Sequence, residues 1–488
     1  MNLYVKNNTF WFELENLARL FFPDEKITVY NEFSEVSEPF IFTELGEKIT
    51  VKIKFGGFAE ESFAERSRDN AENELRTVKL VYKALVKFSS VEQAWGLLTG
   101  VRPIKLFRKI VGESGEAEAE RRFLNEYFVS RERFELAKLT EKNERRILSL
   151  SRPESFSLYV GVPFCPSRCS YCSFVMASVE RTKKLIEPYT SLLCEEIKAT
   201  AKIVNSLGLR LESVYFGGGT PTTLSARQLR CVLTAVNDSF DMSTCREFTV
   251  EAGRPDTIDE EKLFALKENK VDRISINPQT LSDSVLSAIG RKHTAEQFLN
   301  AFETARRCGF DNINTDLIAG LPTDTVEGFK HSLNTVTDDL KAECVTVHTL
   351  CMKRAANLTT EGKTFDKDEA LAARAMQDYA RQKLSSLDYI PYYLYRQTRM
   401  VGNLENVGWS KRGYESLYNV YVMDETHTIL ACGSGGVTKL KNPETDYLTR
   451  IFNFKYPYEY IDRFDELLNR KAQISRFYGT NAVDYSLE

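Results

Sequence analysis

Three cysteines with a spacing suited to metal binding lie in the segment GVPFCPSRCSYCSF, where Cys165, Cys169 and Cys172 follow the pattern C-x3-C-x2-C. Thiolates prefer soft metals, so the group indicates either zinc or an iron–sulfur cluster. Structural zinc usually takes four closed ligands as two separated pairs, and the sequence has no second pair at such a spacing. Three thiolates on a four-iron cluster leave one iron open to a small molecule. We therefore expect an open iron–sulfur cluster.

Two further segments could bind a ligand near these cysteines. YFGGGTPTTL carries Gly218, Gly219 and Thr220, and glycines let a backbone approach a bound molecule closely. Glu251 ends the segment EFTVE, where its carboxylate could accept hydrogen bonds from hydroxyl or amino groups. Arg254 suits either a ligand carboxylate or a surface salt bridge. Taken alone, a tight turn and an exposed carboxylate also explain the glycine segment and Glu251.

The secondary-structure elements that would position these residues can be predicted from the sequence. From about residue 155, short β-branched runs alternate with helical stretches. Six strand–helix units in series predict parallel strands in a partial (β/α)6 barrel of the TIM type, with the chemistry at the carboxyl ends of the strands. The predicted strands are SLYVGV, ESVYF, EFTVEA, RISIN, NINTDLI and CVTVHTL. The whole chain is therefore predicted to be of the α/β class.

Three domains are expected along the 488 residues. Residues 1–150 are interpreted as an α+β accessory domain, with a strand at ITVKIKF and a charged helix over AEESFAERSRDNAENELRTVKLVYKALVKF. Residues 151–355 form the barrel. Residues 356–488 form a C-terminal α+β domain, which begins with a helix over DKDEALAARAMQDYARQKLSSL.

Composition narrows the class of protein. The 65 basic and 69 acidic residues balance, so no overall basic field indicates a nucleic-acid partner. The chain lacks a run of about 18 apolar residues and an apolar leader at its start, so we expect a cytoplasmic protein that does not bind membranes. The other seven cysteines are interpreted as small buried hydrophobic residues: Cys194, Cys231, Cys245, Cys308, Cys344, Cys351 and Cys432.

The motif CPSRCSYC, with Tyr171 before the third cysteine, resembles that of the radical S-adenosylmethionine (SAM) superfamily. The resemblance implies a [4Fe–4S] cluster on the three cysteines, which act in catalysis, with SAM on the open iron. It also implies that cleavage of SAM yields a 5′-deoxyadenosyl radical that takes a hydrogen atom from the substrate. The implied SAM contacts, by their match to family positions, are Tyr159, Gly218, Gly219, Thr220, Glu251, Gln279, Arg291 and Asp316.

Residues 155–455 further resemble the oxygen-independent coproporphyrinogen III oxidase group, through YVGVPFC, GGGTPT, RISINPQTL, NINTDLIAGLP, NLENVG and GSGGVTK. The long N-terminal extension with WGLLTGVRP is similar to the HemZ branch of coproporphyrinogen dehydrogenases. The implied reaction turns two propionates of coproporphyrinogen III into vinyl groups, giving protoporphyrinogen IX. The implied partners are the tetrapyrrole and a reductant such as flavodoxin or ferredoxin.

The chain departs from the best-studied members at Phe174, where they carry a fourth cysteine that is not a cluster ligand. Heme chaperones and porphyrin ring-opening methyltransferases share most of these motifs, so both remain alternatives. His348 could approach SAM or a heme iron, or be a satisfied strand histidine. Candidate partners for the propionates and the macrocycle are Lys353, Arg354, Arg396, Arg399, Lys411, Arg412, Tyr392, Tyr393, Tyr395 and Trp409.

Overall fold

The computed structural model describes residues 1–33, 35–174, 176–352, 356 and 366–479. The chain forms two compact units. The first lies within residues 1–139, 364–367 and 395–405, and the second within residues 140–363, 368–394 and 406–488. None of the described helices combines the length and the apolar character that crossing a bilayer requires.

The first unit is built on a five-stranded sheet in the order β2-β1-β3-β4-β5. The strands are β1 (Asn2–Lys6), β2 (Thr28–Tyr30), β3 (Phe40–Leu45), β4 (Lys48–Phe55) and β5 (Phe58–Glu65). The helices of this part of the chain are α1 (Trp11–Phe21), α2 (Asn70–Ser89), α3 (Pro103–Ser114), α4 (Glu116–Arg121) and α5 (Arg131–Leu148). The second half of α5 belongs to the second unit. Alternate residues of β4 are buried, among them Ile49, Val51 and Ile53, and they join the core under α2.

The strand predicted at ITVKIKF is confirmed as β4, but the helix predicted from AEESFAE onward is wrong in its first part. Residues Phe58–Glu65 form β5, an antiparallel partner of β4, and the helix begins only at Asn70. Half-buried and exposed residues alternate along this segment, which is the period of a strand, although its apolar and polar residues do not alternate. Asp69 is the N-cap residue of α2, because its carboxylate accepts a hydrogen bond from the amide of Ala71 at 2.9 Å.

The second unit contains six parallel strands, paired in chain order, as the sequence predicts. They are β6 (Ser155–Val162), β9 (Arg210–Gly218), β10 (Glu247–Glu251), β11 (Arg273–Ser275), β12 (Ile313–Ala319) and β13 (Cys344–Thr349), and a short pair, β7 (Phe164–Cys165) and β8 (Ala177–Ser178), follows β6. This arrangement places all six carboxyl ends at one edge of the sheet.

Helices separate the parallel strands, as a right-handed series of crossovers requires. They are α6 (Val179–Leu207), α7 (Ala226–Ser239), α8 (Glu260–Glu268), α9 (Asp283–Ala288), α10 (Ala295–Arg307) and α11 (Val326–Asn334). Capping boxes begin two of them, because Ser225 and Gln228 of α7, and Thr294 and Gln297 of α10, exchange hydrogen bonds between side chain and backbone.

The C-terminal strands extend the same sheet at both edges, in the order β14-β15-β13 on one side and β6-β16-β17-β18 on the other. They are β14 (Ile390–Tyr395), β15 (Asn406–Ser410), β16 (Thr428–Cys432), β17 (Val437–Lys441) and β18 (Leu448–Phe452). The remaining helices are α12 (Lys367–Ser386), α13 (Leu417–Asp424), α14 (Pro457–Asp462) and α15 (Phe464–Gly479).

The division into domains at residues 150 and 355 stays a prediction. Residues on both sides of the boundary predicted at 355 belong to the second unit, except for residues 364–367 and 395–405, which belong to the first. Backbone pairing crosses this predicted boundary, since β15 runs antiparallel to β13 and β16 runs parallel to β6. The accessory role of residues 1–150 stays a prediction.

Candidate active site

The cysteine segment begins where β6 ends. Cys165 closes the short strand β7, and the amide of Cys172 donates to the carbonyl of Cys169 at 3.1 Å, so the segment turns between the second and third thiols. Ser170 donates its amide to the carbonyl of Ile289 at 2.9 Å, which fastens the turn to the segment after α9. Cys169 is buried, whereas Cys165 and Cys172 are half-buried.

The three thiols do not converge on a point. In the described parts of the chain, no three His, Cys, Asp or Glu side chains stand close enough together to hold a single metal ion. A four-iron cluster has a different requirement, because each cysteine binds its own iron. Three thiols on one loop therefore fit such a cluster. Without a cluster, burial raises the pKa of the Cys165 thiol to about 11, and the charge of the bound iron would favour its thiolate.

The glycine segment lies directly against the cysteine segment. The amide of Gly219 donates to the carbonyl of Val162, and the amide of Thr220 donates to that of Phe164, both at 2.7 Å. Thr220 Oγ1 lies 3.4 Å from Cys165 Sγ. A Cβ on Gly219 would come within 2.6 Å of the Phe164 carbonyl oxygen, so the approach of the two backbones requires glycine here.

Replacing Gly219 with alanine is expected to move the backbone that carries Cys165, because a backbone atom cannot yield as a flexible side chain does. We expect the variant to lose cluster occupancy after reconstitution and about 1–3 kcal/mol of unfolding free energy. Iron and sulfide analysis measures the cluster occupancy, and urea denaturation measures the free energy of unfolding. Gly112→Ala is the matched control, since no atom lies within 4 Å of a Cβ there. A Gly219→Ala protein with full cluster content would show that the close approach does not matter.

Two arginines brace the loop from inside. Arg291 donates to the carbonyls of Gly253 at 2.8 Å and Asn277 at 2.7 Å, and to the Tyr171 hydroxyl at 3.0 Å. Most of its donors thus have protein partners, and its predicted contact with the SAM carboxylate stays a prediction. Arg254 was considered for a surface salt bridge, but it is only 3% exposed.

Arg254 pairs with Asp256 through two hydrogen bonds of 3.1 and 3.2 Å. Its remaining nitrogen donates to Ser167 Oγ at 3.2 Å and lies 3.9 Å from Cys169 Sγ. This guanidinium therefore supplies a positive charge beside a thiol that would bind the cluster.

A polar interior face continues the site along the strands. Polar side chains occupy alternate positions, such as Asn314 and Asp316 on β12 and Thr346 and His348 on β13, and alternate residues of a strand share one face. Thr346 donates to Asn314 at 3.1 Å, and Asn314 donates to Asp316 at 2.8 Å. His348 Nε2 lies 3.6 Å from Asp316 Oδ2. Burial opposes ionisation of Asp316, but His348 and Asn314 outweigh it and hold its pKa below the ordinary value.

Glu251 lies on the same polar face, and the two carboxylates have different environments. The hydroxyl of Tyr215 donates to Glu251 Oε1 at 2.6 Å. Burial nevertheless raises the pKa of Glu251 to about 7, and the negative charge of Asp316 adds to the rise. Ammonium and hydroxyl groups are donors, so a pair of half-buried acceptors of this kind suits the amino group and the ribose of SAM.

The raised pKa of Glu251 predicts a pH-dependent stability in the absence of SAM. The carboxyl titrates near 4.5 when unfolded and near 7 when folded, so ionisation in the folded state is unfavourable and stability is lost as the pH rises between these values. Glu251→Gln removes this loss. The variant should gain roughly 2 kcal/mol relative to the wild type between pH 5 and pH 8, measured by urea denaturation. The exposed Glu296→Gln should show no such trend, and an equally flat difference for Glu251→Gln would contradict the assignment.

Gln279 has the features of a ligand contact. It adopts a left-handed backbone conformation with φ of 69°, and its amide donates to the carbonyl of Asp316 at 3.0 Å. Its side chain is 8% exposed, and Oε1 has no hydrogen-bond partner among the described residues. A buried acceptor without a partner is costly, and a bound donor such as a SAM amino or hydroxyl group would satisfy it.

Tyr159 is placed by an aromatic stack. Its ring lies 6.5 Å from that of Tyr215 and 6.3 Å from that of Tyr418, and the last two rings are 4.4 Å apart. Tyr418 comes from α13 in the C-terminal region, and the sequence reading missed both it and Tyr215. The signal for Tyr215 was available, since it lies two residues before Gly217 on the same strand face as Tyr159 on β6.

Four of the ten candidate contacts to the tetrapyrrole have other partners or lie in the core, and these are Arg396, Lys411, Tyr392 and Trp409. Arg396 is buried in the first unit and donates to the backbone carbonyls of Leu98 and Asn403. Lys411 follows β15 and pairs with Glu343 just before β13, at the end of the sheet opposite the cysteines. Tyr392 and Trp409 are buried in the core, and the hydroxyl of Tyr393 lies 3.4 Å from Thr346 Oγ1. Lys353 and Arg354 lie outside the described residues.

Three further candidates remain, and the structure places them in different parts of the chain. Arg412 is exposed directly after Lys411, at the same end of the sheet. Arg399 and Tyr395 belong to the first unit. A contact of any of these side chains with substrate stays a prediction.

The chain is similar to known proteins over most of its length. A family model described as the radical SAM superfamily matches residues 159–336. The Bacillus subtilis protein named oxygen-independent coproporphyrinogen-III oxidase-like protein HemZ is 35% identical over 478 residues, which cover 94% of each chain. The heme chaperone HemW of Lactococcus lactis is 36% identical, over 67% of this chain and 80% of the relative.

The fold has a solved counterpart in the Escherichia coli coproporphyrinogen III oxidase HemN, described as a radical SAM enzyme. The match has a TM-score of 0.50 at 19% identity and covers 68% of this chain and 73% of that chain, so it shows the fold alone. Radical SAM proteins use a [4Fe–4S] cluster and SAM, and the thiols and acceptors described above fit both. Because the HemZ relative is 35% identical over 94% of this chain, the protein belongs to the radical SAM superfamily, in the family of HemZ-like, oxygen-independent coproporphyrinogen-III oxidase-like proteins.

Proposed function

We propose that the protein catalyses the oxygen-independent oxidative decarboxylation of coproporphyrinogen III to protoporphyrinogen IX. The observation that carries the proposal is the similarity to the HemZ-like relative over 94% of both chains, including the N-terminal extension. The geometry supports it through three thiols on one loop and two half-buried acceptors, Glu251 on β10 and Asp316 on β12. Each of two propionates loses one hydrogen atom, one electron and carbon dioxide, and becomes a vinyl group.

The chain's own residues would act by binding and orienting. Cys165, Cys169 and Cys172 would hold the cluster, and Glu251 and Asp316 would accept hydrogen bonds from the amino and hydroxyl groups of SAM. With both cofactors bound, reductive cleavage of SAM supplies the radical that removes a hydrogen atom from the substrate.

Other residues of the site would exclude water or hold the cysteine segment in place. Tyr159, Tyr215 and Tyr418 form a stacked aromatic wall that would exclude water from the interior. Arg291 would fix Tyr171, and through it the third cysteine, against the ends of the neighbouring strands. A flavodoxin or ferredoxin as reductant and a cytoplasmic location belong to the same proposal.

A heme-binding chaperone is the second candidate. It is favoured by the similarity to HemW over 80% of that relative's length and by residue 174. Phe174 stands where the oxidases carry a cysteine, and it is 66% exposed, on the segment that follows the cluster cysteines. An exposed phenylalanine can pack against a macrocycle but cannot take part in the chemistry of a thiol.

One anaerobic experiment separates the two candidates. Reconstituted protein is given reductant, SAM and coproporphyrinogen III, and a parallel sample is titrated with heme. A decarboxylase yields the divinyl product and 5′-deoxyadenosine in amounts that exceed the protein. A chaperone binds one heme per chain tightly and yields no vinyl product. An intact cluster without turnover of coproporphyrinogen III would contradict the proposed reaction.

A further inference from the structure

Two cysteines outside the cluster segment lie in contact on neighbouring helices. Cys194 is on α6 and Cys231 is on α7, and their sulfur atoms are 3.5 Å apart. Both are free thiols. The sequence interpretation treated each as a small buried hydrophobic residue, and the structure shows this for Cys194 only, because Cys231 is exposed.

A salt bridge between α6 and α7 also joins the two helices. Arg227 of α7 donates to both carboxylate oxygens of Glu187 of α6, at 2.7 and 2.8 Å. Cys231 lies one turn beyond Arg227, and Cys194 lies two turns beyond Glu187. The contact between the two sulfur atoms therefore belongs to a packed helix pair, and the sulfur atoms have to approach by about 1.5 Å to reach the length of a disulfide bond.

The two thiols differ in reactivity. Burial, with the neighbouring Cys231 adding to it, raises the pKa of the Cys194 thiol to about 12, and Lys198 on the same helix lowers it in part. Cys194 is therefore shielded from oxidants in solution. Cys231 is exposed and can attack a dissolved disulfide directly. An exposed thiol beside a buried one is the arrangement in which the first reacts and the second resolves the product.

We propose that Cys194 and Cys231 are a reversible oxidation site that forms an interhelical disulfide with a low-molecular-weight disulfide such as oxidised glutathione. Cys231 Sγ attacks one sulfur of the oxidant, forms a mixed disulfide and releases one reduced thiol. Cys194 Sγ then attacks Cys231 Sγ, forms the protein disulfide and releases the second reduced thiol. The two protein thiols are oxidised, the oxidant is reduced to two thiols, and each released thiolate carries away one proton.

The location gives this bond a structural consequence. Helix α6 follows the segment with the cluster cysteines, and α7 follows the glycine segment that contacts Cys165. A disulfide would thus tie together the helices that continue from the two loops of the candidate site. The inference goes beyond the proposed function and does not depend on the substrate.

The test uses the reconstituted full-length protein under anaerobic conditions, so that the cluster protects Cys165, Cys169 and Cys172. After treatment with oxidised glutathione, free thiols are alkylated and peptides are mapped by mass spectrometry. We expect a peptide pair joined through Cys194 and Cys231, loss of alkylation at both residues, and return of both thiols with dithiothreitol. The oxidised protein should also denature at a higher urea concentration than the reduced protein.

Two single variants identify the order of attack. Cys194→Ser should stop at a glutathione adduct on Cys231, whereas Cys231→Ser should leave Cys194 free to be alkylated after denaturation. Two outcomes would overturn the proposal: a wild-type protein whose Cys194 and Cys231 both stay reduced, or one that retains the glutathione adduct on Cys231. Neither outcome bears on decarboxylation, so the failure of this inference is distinct from the failure of the proposed function.

Discussion

Replacing any one of Cys165, Cys169 or Cys172 with alanine will abolish cluster assembly and lower SAM cleavage by at least roughly 100-fold. Each thiolate would bind a separate iron, so the other two cannot compensate for the one that is lost. Iron and sulfide analysis, visible absorption and formation of 5′-deoxyadenosine from SAM measure the two effects.

The control for these variants is Cys308→Ala. Cys308 and Cys169 are both 8% exposed, so the two substitutions remove a thiol of the same burial, but Cys308 lies at the end of α10, outside the cysteine segment. Cys308→Ala should keep full iron content and full SAM cleavage. A cluster variant that retains stoichiometric iron and sulfide and cleaves SAM like the wild type would disprove the ligand assignment.

Lys471→Met will destabilise the protein by about 3–5 kcal/mol, because it leaves a buried carboxylate without its counter-ion. The side chains of Lys471 on α15 and Glu196 on α6 are 3% and 0% exposed, and Nζ lies 2.8 Å from Oε1. Glu196 also accepts hydrogen bonds from Asn453, from the hydroxyl of Tyr460 and from the amide of Gly433. Urea denaturation of the purified protein measures the change.

Two further proteins separate charge from packing at this pair. The double variant Glu196→Gln with Lys471→Met removes both charges and should recover part of the lost stability, while the exposed Lys202→Met should change it by less than about 0.5 kcal/mol. If Lys471→Met were as mild as Lys202→Met, the ion pair would not be what holds α15 against α6.

The six parallel strands could be predicted from sequence because each is a short β-branched run followed by a helical stretch. The prediction reached β12 and β13 almost to the residue. Their polar positions also alternate, as in Asn314 and Asp316, and this period gives a signal for an interior face that can hold a ligand.

The pairing of strands that lie far apart in the chain could not be predicted from the sequence. The sequence does not show that β16 joins β6 across more than half of the second unit, because nothing local specifies a partner so distant in the chain. The same limit explains Tyr418 and Arg396. Tyr418 reaches the aromatic stack only because α13 returns to the barrel, and Arg396 had the right chemistry for a propionate but is satisfied by backbone carbonyls.

The most direct test of the proposed reaction follows the hydrogen atom. Coproporphyrinogen III deuterated at the propionate carbons that adjoin the ring is incubated anaerobically with reconstituted protein, reductant and SAM, and the 5′-deoxyadenosine is analysed by mass spectrometry. The account predicts one deuterium in each 5′-deoxyadenosine, together with a porphyrinogen lighter by two carbon dioxide molecules and the hydrogen atoms lost with them. Unlabelled 5′-deoxyadenosine with unchanged substrate, from a protein whose cluster is intact, would contradict it.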